Sequence, residues 1–268
     1  MNSLKYWTPE GFEISSFQFN LDSRKDKTYQ TSGSDNTKLC SYTYNELGFR
    51  GDSIKKEGFK VMSLGCSNTE GVGVSYVDTW PAQFTSHTPN GVNMNFGTGG
   101  RSNDFIVRCL LSYYDLIKPD MVLIMYTEPS RREIYTKDSG VEPFMVTNSW
   151  SYLKDTNDGV KIQEHLVNLQ NDNEDFVNWY KNHLLIKNFL ENKKCNWLWN
   201  GYFSTPVEYQ EFNRFDGEYK YIIDRGVDGI HPGPKHNKEY GAKLFNHIYK
   251  NFRDYLPTDL THPKRGLI

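Results

Sequence analysis

Apolar residues in this chain come in short runs, separated by polar segments that carry glycine and proline. Phe59–Leu64 (FKVMSL) is the first run of strand length, and it leads straight into Gly65-Cys66-Ser67. Met121–Tyr126 (MVLIMY) is apolar throughout and bounded by Pro119-Asp120 and Pro129. Such a run fits a strand covered on both faces in a parallel sheet. Cys195–Trp199 (CNWLW) reads the same way, and Val92–Asn95 predicts a shorter strand. Between the strands the spacing turns helical. Phe105, Ile106, Cys109, Leu110 and Tyr113 share one helical face, with Ser102 or Asn103 placed to cap it. Further helices are predicted around Thr79–Phe84, over Phe176–Asn192, and over Lys238–Phe252 with Leu244, Phe245, Ile248 and Phe252 inward.

Strands alternating with helices predict an α/β fold, a three-layer α/β/α sandwich on a mainly parallel sheet. No internal repeat is evident. Residues 1–57 read as a polar N-terminal extension packing on the core, loop-like at QTSGSDNTK and ending in YTYNELGFRGDS as a short strand or turn. The main domain is expected over 58–255, with an irregular insertion around 136–215, and 256–268 as a C-terminal tail.

Composition narrows the function classes. A chain of 268 residues with net charge −2 gives no global pull toward nucleic acid or anionic membrane. The apolar runs fall well short of the roughly 20 residues of a membrane helix. The N-terminus, MNSLKYWTPEGFEISSF, lacks a continuous apolar stretch of the secretory kind, so a cytoplasmic location is the default expectation. Cys40, Cys66, Cys109 and Cys195 are scattered and form no C-x-x-C pair, which supports neither a zinc site nor a disulfide framework. With 18 Tyr, 16 Phe and 6 Trp against a mean hydropathy of −0.70, the surface is expected to be polar and rich in aromatics.

Functional groups of an open α/β sheet gather at the carboxyl ends of its strands. Gly65-Cys66-Ser67 follows such a strand, which exposes the serine and leaves backbone N–H groups to receive an oxyanion. A serine hydroxyl needs a base. Of the seven histidines, His231 in Asp228-Gly229-Ile230-His231-Pro232 has the best setting, because Asp228 can accept from Nδ1 and free Nε2 for proton transfer. Taken singly, each element is also an ordinary turn or a loop with a local hydrogen bond. Cys66 reads as a buried small hydrophobe rather than a nucleophile, and His236 and His247 as surface residues.

Together these segments resemble the SGNH/GDSL hydrolases. LGCSNTEGVGV is similar to block I, with Gly65, Ser67 and Thr69 in the G-x-S-x-T pattern; NFGTGGRS is similar to block II through Asn95 and Gly100. DGIHPGPKHNKEYGAKL resembles block V through Asp228, His231, Pro232 and Gly241, and NELGFRG looks like the segment before block I in some bacterial and phage relatives. The resemblance spans roughly residues 45–252 and implies a flavodoxin-like SGNH hydrolase fold. It implies Ser67 as nucleophile, His231 as base oriented by Asp228, and the N–H groups of Ser67 and Gly100 as oxyanion donors. It implies no metal and no organic cofactor.

Two departures stand out. Cys66 replaces the usual aspartate before the serine, and Pro129 stands where block III carries its oxyanion-donating asparagine. Ser130 or Arg131 is the expected substitute donor, ahead of Thr127. The expected activity is hydrolysis of an ester on Ser67, with a small molecule or an acetylated glycan as substrate. Trp150, Trp179, Trp197 and Trp199 are expected to shape one wall of the cleft. The alternative is a catalytically weak or inactive SGNH-fold binding or structural module.

Overall fold

The computed structural model describes residues 28–32, 39–134, 144–146, 170–201, 214–215, 222–258 and 260, with isolated positions between 160 and 168. Trp150, the loop around Pro206 and the tail beyond residue 260 lie outside the described residues, as does most of the expected insertion at 136–160.

The first described element is an antiparallel ribbon, β1 (Thr28–Ser32) against β2 (Leu39–Thr43). The chain continues through β3 (Phe59–Leu64), α1 (Ser67–Glu70), α2 (Trp80–Ser86), β4 (Gly91–Asn95), α3 (Asn103–Ile117) and β5 (Met121–Tyr126). A second ribbon pairs β6 (Arg132–Ile134) with β7 (Phe144–Val146). Then come α4 (Asp172–Asn192), β8 (Asn196–Gly201) and α5 (Pro234–Asn251). The central sheet runs β4-β3-β5-β8, and every pairing in it is parallel.

The sheet is covered on both sides, and the period-2 geometry of its strands shows how. Met62 and Leu64 of β3, Val122, Ile124 and Tyr126 of β5, and Trp197 and Trp199 of β8 face one core with α3 and α4. The intervening Val61, Met121, Leu123, Met125 and Leu198 face the other core with α2 and α5. This alternation with apolar residues on both sides explains why β5 reads as an unbroken apolar run. The architecture is the expected three-layer α/β/α sandwich.

Several boundaries differ from the expectation. Helix α4 begins at Asp172, where Asn171 accepts from the N–H groups of Asn173 and Glu174, and α5 begins at Pro234. Ser102, not Asn103, caps α3 by accepting from the Phe105 N–H. Part of the expected insertion is integral to the core, since α4 packs on one face and β8 forms a sheet edge. Trp179, Trp197 and Trp199 are buried around Tyr126 and His183, so they hold the core together and form no cleft wall. His236 is also buried, at 3% exposure, beneath Ile223.

Candidate active site

With sheet order β4-β3-β5-β8, the chain leaves β3 toward one edge and crosses back to β5 on the other side. The gap beyond the carboxyl ends of β3 and β5 is therefore the switch point where open α/β sheets bind ligands. Ser67 sits there, half-buried, as the first residue of α1.

A four-residue helix has little stability of its own. Here its free carbonyls are taken up from outside. Asn95, at the end of β4, donates from Nδ2 to the Thr69 carbonyl at 2.7 Å. Arg50, fully buried, donates from Nη1 to the carbonyls of Glu70 at 3.0 Å and Gly71 at 2.5 Å, and from Nη2 to those of Val74 and Ser41. Burial lowers the Arg50 pKa, against the pull of Tyr42 and Glu70. The Tyr42 ring lies 4.0 Å from the guanidinium, and its hydroxyl accepts from the Gly73 N–H at 2.6 Å. Burial pushes the Tyr42 phenol up to about 12, although the Gly73 N–H works the other way.

The block II loop closes over the same helix. A Cβ on Gly97 would stand 2.3 Å from the Glu70 nitrogen, so only glycine permits this approach. Gly97 donates to Asn95 Oδ1 at 2.9 Å, and Gly99 donates to Glu70 Oε2 at 2.6 Å. Gly100 lies at the exposed tip of this loop. Neither the Ser67 nor the Gly100 N–H donates to a backbone or side-chain acceptor among the described residues. Both remain available to an incoming oxygen.

The Asp228–His231 loop docks on the turn that follows α1. Val72 donates to the Ser67 carbonyl at 3.0 Å, and Val227 donates to the Gly73 carbonyl at 2.8 Å. Within the loop, His231 Nδ1 meets Asp228 Oδ2 at 2.5 Å, while Asp228 Oδ1 accepts from the N–H groups of Ile230 and His231, both at 3.1 Å. Burial pushes the Asp228 carboxyl upward. The hydrogen bonds from His231 and from the two backbone N–H groups outweigh it, so the group lies below its ordinary range. The loop is anchored below by Asn237, which donates from Nδ2 to the carbonyls of Pro232 and Gly233 and accepts from the Trp80 N–H. Asp224 accepts from the Lys235 and His236 N–H groups and so caps α5 from ten or more residues upstream.

Ser67 Oγ lies 3.9 Å from Cys66 Sγ, and no hydrogen bond joins it to His231 among the described residues. Cys66 is buried, as expected for a packing residue. The block III region is held elsewhere. The Thr127 N–H and carbonyl are both bound by the Asn103 side chain, at 3.0 and 3.1 Å. The Ser130 carbonyl accepts from Gln170, and Arg131 Nε reaches Glu128 Oε2 at 3.4 Å. No described hydrogen bond or ion pair ties Ser130 or Arg131 to Ser67. The contacts of Arg50, Glu70, Asp224 and Asn237, and the clamp of Asn103 on Thr127, escaped the sequence reading, because they reach across distances that local spacing does not reveal.

No family model and no curated protein matches the chain. Several solved structures are similar to it at low identity. A lipolytic protein of the G-D-S-L family from Desulfitobacterium hafniense is 13% identical, with 70% of this chain and 99% of that one covered and a TM-score of 0.33. A carbohydrate esterase family 2 enzyme with a carbohydrate-binding domain from Corynascus thermopiles (Myceliophthora fergusii) is 10% identical, over 75% of this chain and 69% of that one, with a TM-score of 0.43. A carbohydrate acetylesterase family member from Sinorhizobium meliloti is 11% identical over 72% and 99%, with a TM-score of 0.32. In the order of its sequence blocks and in its parallel, doubly covered sheet, the chain resembles the SGNH/GDSL hydrolases.

Proposed function

We propose that this protein is a serine ester hydrolase that works through an acyl-enzyme on Ser67. The observation that carries this reading is the Asp228–His231 pair docked against the turn that leaves the Ser67 helix. Asp228 fixes the Nδ1–H tautomer and leaves Nε2 as the base. Ser67 Oγ attacks the acyl carbon and gives its proton to His231 Nε2, while the carbonyl oxygen takes up negative charge against the Ser67 and Gly100 N–H groups. His231 then protonates the departing alcohol. Water, deprotonated by His231, attacks the acyl-enzyme and restores Ser67. Catalytic hydrogen bonds of this kind tighten on substrate binding, so a serine hydroxyl that meets Cys66 Sγ rather than His231 is compatible with the scheme.

Two backbone donors suffice for turnover. Loss of one oxyanion donor lowers the rate by about 10²–10³ without abolishing it, so a substitute from Ser130 or Arg131 would add rate rather than enable the reaction. An acetylated sugar is the substrate class to test first, with p-nitrophenyl acetate as the small probe that carries the same acyl group.

Treatment with a fluorophosphonate and mass mapping of the adduct tests the reading. One adduct on Ser67 is expected, lost in Ser67→Ala together with p-nitrophenyl acetate turnover, while Cys66→Ser retains both. An adduct on Cys66 would reject Ser67 as the nucleophile, and no adduct at all would reject the hydrolase and favour the binding module.

A further inference from the structure

We propose that Glu70 is a positioning residue for the oxyanion site, acting through Gly99 on the Gly100 N–H. The inference rests on the ester-hydrolase reading above. Gly99 and Gly100 are consecutive and exposed, and two glycines in succession have wide backbone freedom. Neighbouring ties hold the start of the loop, through Gly97 to Asn95 Oδ1 and Thr98 to the Gly65 carbonyl. At the tip, the Arg101 N–H closes the turn on the Thr98 carbonyl at 3.4 Å, and the shorter 2.6 Å bond from the Gly99 N–H to Glu70 Oε2 holds the peptide within that turn. That bond fixes the peptide immediately before the one whose N–H would meet the oxyanion.

The carboxylate is itself held tightly. Glu70 is only 4% exposed, and its second oxygen accepts from the Tyr44 hydroxyl at 3.1 Å. Its own carbonyl is bound by the buried guanidinium of Arg50, which brings a positive charge to the same helix. A buried carboxylate is costly to keep and needs partners of this kind. Core packing alone would be met by an apolar side chain of similar size. A charged acceptor aimed at a glycine N–H on the oxyanion loop suits electrostatic preorganisation, in which donors are fixed before the reaction begins.

The test compares Glu70→Gln with Glu70→Met, both close to the native volume. Glutamine can turn its oxygen to Gly99 and its amide to the Tyr44 oxygen, so it restores the tie. Methionine cannot. On p-nitrophenyl acetate, Glu70→Met should lose about 10²-fold in kcat with KM little changed, as for a misplaced oxyanion donor. Glu70→Gln should recover most of that loss. Hydrogen exchange at the Gly99 amide, slow in the wild type and in Glu70→Gln, should speed up in Glu70→Met while the core amides stay protected. The proposal falls if the methionine variant keeps wild-type kcat while the wild type labels at Ser67, or if Gly99 exchange is the same in all three proteins. A wild type that takes up no fluorophosphonate overturns the hydrolase reading itself and the positioning role with it. Slow Gly99 exchange in that protein would leave Glu70 a purely structural acceptor.

Discussion

Gly73→Ala probes the joint between the Ser67 helix and the Asp228–His231 loop. Gly73 has φ +84°, and an added Cβ would lie 2.6 Å from Asp228 Oδ1, 3.0 Å from its Cγ and 3.3 Å from Gly226 Cα. The carboxylate cannot swing aside freely, because Ile230, the His231 N–H and His231 Nδ1 all hold it. A left-handed alanine costs about 1–2 kcal/mol, and overpacking of this size about 1–3 more. The sum of about 2–5 kcal/mol, at about 2–4 °C per kcal/mol, lowers the melting temperature by about 4–20 °C. Displacing the base by a fraction of its contact distance should also lower kcat/KM on p-nitrophenyl acetate, by up to about 10²-fold. A double-mutant cycle separates the two causes. In an Asp228→Ala background the clash is gone, and Gly73→Ala should cost only the backbone part, about 1–2 kcal/mol. An equal melting-temperature loss in both backgrounds, with kcat/KM unchanged in the single variant, would refute the argument that Gly73 seats the Asp228 loop.

Three further outcomes follow from the same geometry. Asp228→Asn should reduce kcat by as much as about 10⁴ by favouring the wrong histidine tautomer, measured with the fold intact by circular dichroism. Because the Asp228 pKa is depressed in the fold from its ordinary 3.8, its stabilisation is complete above that value and lost as pH falls through the lower folded one. Denaturant titrations of wild type and Asp228→Asn should therefore converge in strong acid. Asp224→Ala removes the cap on α5 and should cost about 1 kcal/mol, or about 2–4 °C in melting temperature, with Asp224→Asn recovering most of it.

The four central strands were legible because their middle residues are buried on both faces, which leaves a wholly apolar run in β5 and mostly apolar ones in β3, β4 and β8. Helix starts were not. Lys238 was read as the start of the last helix from its first clear apolar face, yet Asp224 secures its first turn from another segment. Phe176 likewise marked the first apolar position of α4, while the exposed acidic turn from Asp172 precedes it. The ribbon of β1 and β2 lay hidden because its sequence is mostly polar and shows no apolar run. The Asp228–His231 bond was legible because it spans three residues. The clamp of Asn103 on Thr127 was not, because it joins positions 24 residues apart across α3 and β5.

Arg50 bears on how far the folded unit around Ser67 extends toward the N-terminus. Its guanidinium gathers carbonyls from β2 and from three positions after Ser67, and Phe49 beside it fills the core shared with α3. A fragment starting at Phe59 would keep all the recognisable blocks and the whole parallel sheet. It would lose the cation that closes α1 and the tyrosine that holds Gly73. On the hydrolase reading proposed above, the smallest active fragment therefore starts upstream of its motifs. A library of N-terminal deletions should show activity ending near β2, before solubility does.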